Sequence, residues 1–157
     1  MNNLYRFSPI ESEESFRKVL EYLTIELERL SQELLKKSLP INTLKVFAHH
    51  PEEYDYLHKL VSEMGPESSL SSDTSLYVEV NLKINGHDIK HLGVRIVDPY
   101  RLQVGCGDFE IGNIEKFKRE HTDRSPFIRS FRENMVELWH PNHDVLGYAV
   151  SSETGER

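Results

Sequence analysis

Three things are scarce in this sequence, and each scarcity excludes a class of protein. Cys106 is the single cysteine among 157 residues, so the chain contains neither an internal disulfide nor a cysteine-rich zinc site. No apolar run approaches the ~20 residues that cross a bilayer, which argues against a membrane partner. Basic residues number 19 against 26 acidic ones, and the net charge of −7 argues against nucleic-acid binding by overall attraction. The N-terminal residues lack the apolar core of a signal peptide, so we expect an acidic, soluble, cytoplasmic protein.

The pattern of apolar residues predicts one α+β domain over residues 1–150, followed by a polar C-terminal tail over residues 151–157. A short strand at Leu4–Phe7 precedes a long helix that begins at the N-cap Ser12, or at Ser8-Pro9, and ends near Lys37. One stripe of apolar residues runs along this helix: Phe16, Val19, Leu20, Leu23, Leu27, Leu30 and Leu34. Because one sheet covers only part of so long a stripe, we expect a homodimer that uses this helix.

Shorter segments follow the long helix. We predict strands over residues 43–49, 75–84, 87–97, 102–111, 135–140 and 145–150, and helices over residues 51–64, 114–121 and 125–133. Residues 66–74 contain four serines and no periodicity, which predicts a mobile loop. The predicted fold is a mostly antiparallel sheet of about five to seven strands, with the long helix and the shorter helices packed on it.

The clearest candidate ligand site surrounds Arg95. The dipeptide Asn85-Gly86 predicts a two-residue hairpin, whose register places Arg95 on the same face as Leu76. A guanidinium cannot lose its charge, so burial there requires either a carboxylate of this chain or an anionic ligand. We therefore assign ligand binding to a cluster of five residues: Arg95, Asp98, Tyr100, Arg101 and Asp108.

Two further sets of residues carry alternative hypotheses. Glu137, His140 and His143 lie close together in sequence, so a turn can bring them to one zinc-like centre of a small metal-assisted hydrolase or lyase. The same letters suit a hairpin turn, and we expect neither a metal nor a cofactor. Residues 114–132 carry six basic and three acidic side chains, which suits weak nucleic-acid binding or a solvated surface. Cys106, between two glycines, is either a nucleophile or a small buried residue at a bulge or close approach.

Two strings resemble known families. The segment Asp98-Pro99-Tyr100-Arg101-Leu102-Gln103-Val104-Gly105, followed by Asp108-Phe109, resembles a signature of small uncharacterised prokaryotic proteins; residues 4–10 and the C-terminal hairpin fit the same pattern. That resemblance implies no activity. The string Val136-Glu137-Leu138-Trp139-His140-Pro141 is similar to the closing strand of vicinal-oxygen-chelate domains, which implies a metal-binding role for Glu137. The predicted order of elements differs from the paired βαβββ modules of those domains.

The leading hypothesis from the sequence is a binding or accessory module that recognises a small anionic ligand or a protein segment. It rests on the cluster around Arg95, for which a structural salt bridge from Arg95 to Asp98 or Asp108 is the alternative interpretation.

Overall fold

The computed structural model describes residues 6–151, and within them a single mixed sheet carries three helices. The helices are α1 (Glu13–Leu35), α2 (Pro51–Ser62) and α3 (Ile114–His121). The strands are β1 (Ile41–Phe47), β2 (Ser75–Ile84), β3 (His87–Arg95), β4 (Gly105–Ile111), β5 (Ile128–Arg132), β6 (Met135–Leu138) and β7 (Val145–Ser151). The predicted α+β class is confirmed.

The seven strands lie in the order β2-β3-β1-β4-β7-β6-β5. Four of the six neighbouring pairs are antiparallel, whereas β1–β3 and β4–β7 are parallel. The sequence predicted that β4 would follow β3 in one meander, and this was wrong because β1 lies between them. Insertion of an earlier strand depends on contacts distant in sequence, which local patterns do not report.

The two ends and the apolar stripe of α1 follow from particular residues of its sequence. The hydroxyl of Ser12 accepts a hydrogen bond from the backbone N–H of Ser15, which confirms Ser12 as the N-cap and excludes the start at Pro9. Lys36 adopts a left-handed conformation with φ 61° and caps the helix, whose last residue, Leu35, lies two residues before the predicted end. The apolar stripe packs on the sheet within one chain, and Leu23, Leu27 and Leu30 are fully buried. The homodimer was predicted because part of this stripe was expected to stay uncovered. The sheet covers it, so the homodimer stays a prediction that has lost this argument.

Gly107 permits the close contact between α1 and the sheet. A Cβ atom at this position would lie 2.5 Å from Leu27 Cδ1 and 2.9 Å from the carbonyl oxygen of Thr43. Glycine removes this overlap, so the leucines of α1 pack directly on β4. The close approach that the Gly105-Cys106-Gly107 string suggested is thus confirmed.

The hairpin of β2 and β3 has the predicted turn but only part of the predicted register. Asn85 and Gly86 have positive φ angles of 49° and 84°, and Ile84 pairs with His87 as expected. A bulge between Glu79 and Leu82 then shifts the pairing by one residue. Beyond the bulge Arg95 pairs with Ser75, so it does not share a face with Leu76. The predicted facing of Arg95 was therefore wrong.

Several other expectations are corrected by tertiary pairing. Residues 128–132 form the edge strand β5 against β6, whereas the sequence predicted a helix over residues 125–133. The segment 66–74 is hydrogen-bonded along β2, with Ser68 N–H donating to the carbonyl of Tyr77 at 2.8 Å. Arg6 and Phe7 are not in a strand, and Leu4 lies outside the described residues. Ser151 ends β7, and the remainder of the predicted tail also lies outside them. Across residues 6–151, no helix combines the length and the apolar character that crossing a membrane requires.

Candidate functional site

The helices pack against one face of the sheet, and the other face carries the candidate site. Side chains of alternate residues project from this helix-free face. Across β1, β4 and β7, Lys45 pairs with Cys106 and Cys106 with Leu146. Here a second apolar cluster forms, separate from the main core, from Phe47, Cys106, Leu146, Trp139 and Tyr148.

A groove of about 300 Å³ opens on this face. Its two rims come from opposite edges of the sheet, the segment 69–74 beside β2 and the strand β5. Its lining combines aromatic, hydroxyl and charged side chains: Lys45, Ser69, Leu70, Ser72, Thr74, Ser75, Tyr77, Cys106, Asp108, Phe131, Arg132, Met135 and Tyr148. This volume lies at the lower end of the range for small-molecule sites.

Lys45 places a positive charge in the groove. Its Nζ lies 5.4 Å from the ring centroid of Tyr77 and 6.0 Å from that of Phe47. The Tyr77 ring reaches this position by lying over Gly93, where a Cβ would come within 2.6 Å of Tyr77 Cδ1. Lys45 Nζ also donates a hydrogen bond to Ser75 Oγ at 3.1 Å. Within the described part of the chain, no carboxylate lies within 4.0 Å of this ammonium. The ammonium is therefore held by aromatic rings and a hydroxyl, without a carboxylate at ion-pair distance.

Burial moves the pKa values of two groups in the groove, a thiol and a phenol hydroxyl, further above neutral pH. Burial raises the pKa of the Cys106 thiol to about 11, although the nearby charges of Lys45, Arg101 and Arg95 oppose the shift. Burial also raises the pKa of the Tyr148 hydroxyl above its ordinary value. A nucleophilic cysteine works as its thiolate, so Cys106 does not fit the role of nucleophile and instead packs as a small apolar residue.

The predicted ligand cluster is divided into two parts, one outside the groove and one in its lining. Arg95 Nη1 and Arg101 Nε approach the same oxygen of Asp98, at 3.8 Å and 4.0 Å. Tyr100 is 89% exposed, and its backbone N–H donates to Asp98 at 3.0 Å. Asp108 is buried in the groove lining, away from the Asp98 pairings. The structure thus brings Arg95, Asp98 and Arg101 together and places Asp108 with Lys45.

The predicted metal set is also divided between the two faces. Alternation along β6 puts Glu137 on the helix-free face, where Arg129 Nε and Nη2 both lie 2.7 Å from its Oε1. His140 and His143 lie in the β6–β7 turn and contact α1 instead. Their Nε2 atoms lie 3.0 Å and 2.8 Å from the two carboxylate oxygens of Glu33, and the hydrogen bond from His143 lowers the pKa of Glu33. The grouping of Glu137 with the two histidines was therefore wrong, and the carboxylate beside them is that of Glu33.

The basic stretch 114–132 is divided between two elements, α3 and β5. It continues from α3 through a turn into β5. Lys118 Nζ donates to the carbonyl oxygens of Arg132 and Glu133, and Arg129 pairs with Glu137. These internal partners occupy two of the six basic side chains, which reduces the charge available to a phosphate backbone.

Sequence reasoning missed Lys45, Tyr77 and Glu33. Alternation along residues 43–47 would have placed the side chain of Lys45 on the face of the sheet opposite that of Leu44. A glycine within a strand, such as Gly93, indicates that a neighbouring group comes close to the backbone there. Glu26 and Glu33 are seven residues apart on α1 and therefore share one side of it, but nothing local shows that the β6–β7 turn meets that side.

Comparison with known proteins supports the fold alone. No protein-family model and no curated protein matches the chain. A solved structure, the structural-genomics protein EC4020, aligns with a TM-score of 0.64 over 99% of this chain and 98% of its own. Its sequence identity to this chain is 10%, so the similarity concerns the arrangement of helices and strands and carries no function.

Proposed function

We propose that the protein is a binding module whose groove on the helix-free face holds a small anion. The observation that carries this proposal is Lys45, an ammonium in the groove lining with ring and hydroxyl neighbours and no ion-pair partner among residues 6–151. An anion placed there replaces water around a partly buried cation. Electrostatic attraction is stronger in such surroundings than in bulk water.

The groove also indicates what the anion is attached to. Tyr77, Phe131 and Tyr148 offer aromatic surface, while Ser72 and Thr74 offer hydroxyl groups. Asp108 lies in the same lining, and its carboxyl group disfavours a second anionic group on the ligand. We therefore infer a ligand with one anionic group and an apolar or aromatic body, rather than a compact polyanion.

Arg95 and Arg101 strengthen this proposal from outside the groove. The positive charges of both guanidinium groups lower the pKa of the Cys106 thiol in the groove lining, which opposes the effect of burial. Asp98 offsets part of these charges. The guanidinium groups raise the positive potential that an approaching anion meets. This role keeps the two arginines in the ligand-binding cluster. The proposed location remains the cytoplasm.

Phenyl phosphate and inorganic phosphate are suitable probes, titrated into labelled protein and followed by amide chemical shifts. We expect phenyl phosphate to shift the amides of β1, β4 and β7 around Lys45 and to bind more tightly than inorganic phosphate. Lys45→Met retains the apolar stem and removes one charged hydrogen-bond donor, so we expect its affinity to fall roughly tenfold or more.

Lys90→Met is the matched control, because it removes the same charge from an exposed position on β3. Its affinity for phenyl phosphate should equal that of the wild type within a factor of about two. Equal binding by Lys45→Met and Lys90→Met, or shifts confined to residues outside the groove, would overturn the proposal.

A further inference from the structure

A cluster of polar side chains lies between the C-terminal half of α1 and the β6–β7 turn, on the face of the sheet opposite the groove. Glu26 and Glu33 project from one side of α1 towards the β6–β7 turn, which carries His140 and His143. The side chain of His143 is 9% exposed and that of His140 is 15% exposed. Burial of two imidazoles beside two carboxylates is costly unless each polar atom has a partner.

Both imidazoles direct the same ring nitrogen at one carboxylate. His140 Nε2 lies 3.0 Å from Glu33 Oε2, and His143 Nε2 lies 2.8 Å from Glu33 Oε1. The three ligand atoms that these residues offer all lie within 4.8 Å of one another. Two histidine nitrogens and one carboxylate oxygen form the donor set of many zinc centres that keep a fourth position open.

A second layer of contacts supports His143 in this role. Its Nδ1 lies 3.3 Å from Glu26 Oε1, and Arg29 Nη1 holds the other oxygen of Glu26 at 2.7 Å. A metal-binding histidine usually donates its remaining N–H to a carboxylate or a carbonyl, which fixes the orientation of the ring. Glu26 provides such an acceptor, itself anchored by an arginine.

His140 requires a rearrangement of protons. Its Nδ1 accepts a hydrogen bond from the backbone N–H of Asn142 at 3.1 Å, so its Nε2 carries the proton and donates to Glu33. Coordination through Nε2 moves this proton to Nδ1, and the exposed Asn142 amide then bonds to water. When His143 Nε2 binds the ion, the ring keeps one proton on Nδ1, which faces Glu26 Oε1.

We propose that Glu33, His140 and His143 form a binding site for a divalent transition metal ion, best suited to Zn²⁺, with Glu26 as the partner of His143. The site joins α1 to the β6–β7 turn, so the ion would link the helix to the sheet. Three protein ligands leave the fourth position of a tetrahedral ion to water. This proposal is independent of the anion groove, which lies on the other face of the sheet.

Untagged protein, freed of metal with a chelator, tests the proposal by titration with Co²⁺ and Zn²⁺. We expect one ion per chain, an intense visible absorption of tetrahedral Co²⁺, and its loss when Zn²⁺ displaces the cobalt. Glu33→Gln and His143→Gln should each weaken Zn²⁺ binding at least roughly tenfold, and Glu26→Gln roughly tenfold through the orientation of His143. Circular dichroism of each variant establishes that it is folded.

Glu137→Gln is the matched control, because it neutralises the buried carboxylate on β6 that lies on the other face of the sheet. Its Zn²⁺ affinity should equal that of the wild type. The proposal is wrong if the wild type binds less than one ion per chain at micromolar Zn²⁺. It is equally wrong if folded Glu33→Gln and His143→Gln bind Zn²⁺ as tightly as Glu137→Gln does.

Discussion

Replacing Gly107 with alanine should destabilise the protein, because α1 lies directly on that glycine. The new Cβ would lie 2.5 Å from Leu27 Cδ1 and 2.9 Å from the carbonyl oxygen of Thr43, whereas carbon atoms in contact normally stand about 3.5–4.0 Å apart. Neither neighbour yields easily, since Leu27 is fully buried and Thr43 pairs with β4. Overpacking of this kind costs about 1–3 kcal/mol.

Gly112→Ala provides the comparison that isolates this cost. A Cβ at Gly112 meets nothing within 4 Å, so the substitution changes only the freedom of the unfolded chain. That effect stabilises by about 0.4–1 kcal/mol and is common to both variants, so it cancels in the difference between them. Gly107→Ala should therefore be about 1–3 kcal/mol less stable than Gly112→Ala.

Urea unfolding followed by the fluorescence of Trp139, the single tryptophan, measures this difference. At about 1–3 kcal/mol per molar urea, the midpoint of Gly107→Ala should fall below that of Gly112→Ala by roughly 1 M. The melting temperature should differ by roughly 3–9 °C for a chain of this length. Equal midpoints would refute the packing of α1 on β4 at this glycine.

Three further results are expected. Burial lowers the pKa of His49 below its ordinary value of 6.5. The contribution of His49 to the stability of the fold is therefore complete above pH 6.5 and is lost as the pH falls towards the lowered pKa. The difference in urea midpoint between wild type and His49→Gln should therefore shrink from about pH 7.5 to about pH 5.5, and a constant difference would contradict this. The Cys106 thiol should react with Ellman's reagent only after unfolding, since its pKa is about 11; fast labelling of the native protein would disprove its burial. Gly86→Ala should cost roughly 1 kcal/mol in urea unfolding, because φ is 84° there, and an unchanged midpoint would count against that turn.

Local signals predicted the elements whose causes are themselves local. The N-cap at Ser12, the apolar stripe of α1 and the Asn85-Gly86 turn each depend on residues a few positions apart, and all three are confirmed. The start of α2 at Pro51 follows the same logic. Hydrogen-bonded caps and helical periodicity act within one or two turns of the chain, so a single sequence displays them.

The candidate sites were only partly predictable. Arg95, Asp98 and Arg101 meet because a short turn joins them, whereas Asp108, grouped with them from the sequence, lies in the groove lining. Glu137 was grouped with His140 on spacing alone, yet alternation along β6 turns it to the other face of the sheet. Neighbours in sequence on a strand project from opposite faces, so closeness in sequence is a poor guide to a shared site there.

By itself, the sequence determined the α+β class, the position and length of α1, and the hairpin between β2 and β3. The tertiary structure alone decided three further features: the place of β1 between β3 and β4, the bulge that turns Arg95 to the helix-free face, and the meeting of Glu33 with the β6–β7 turn. Each of these joins segments that are far apart in the chain or adjusts the register between strands. Their free energy comes from packing between whole elements, and no pattern within a single segment records it.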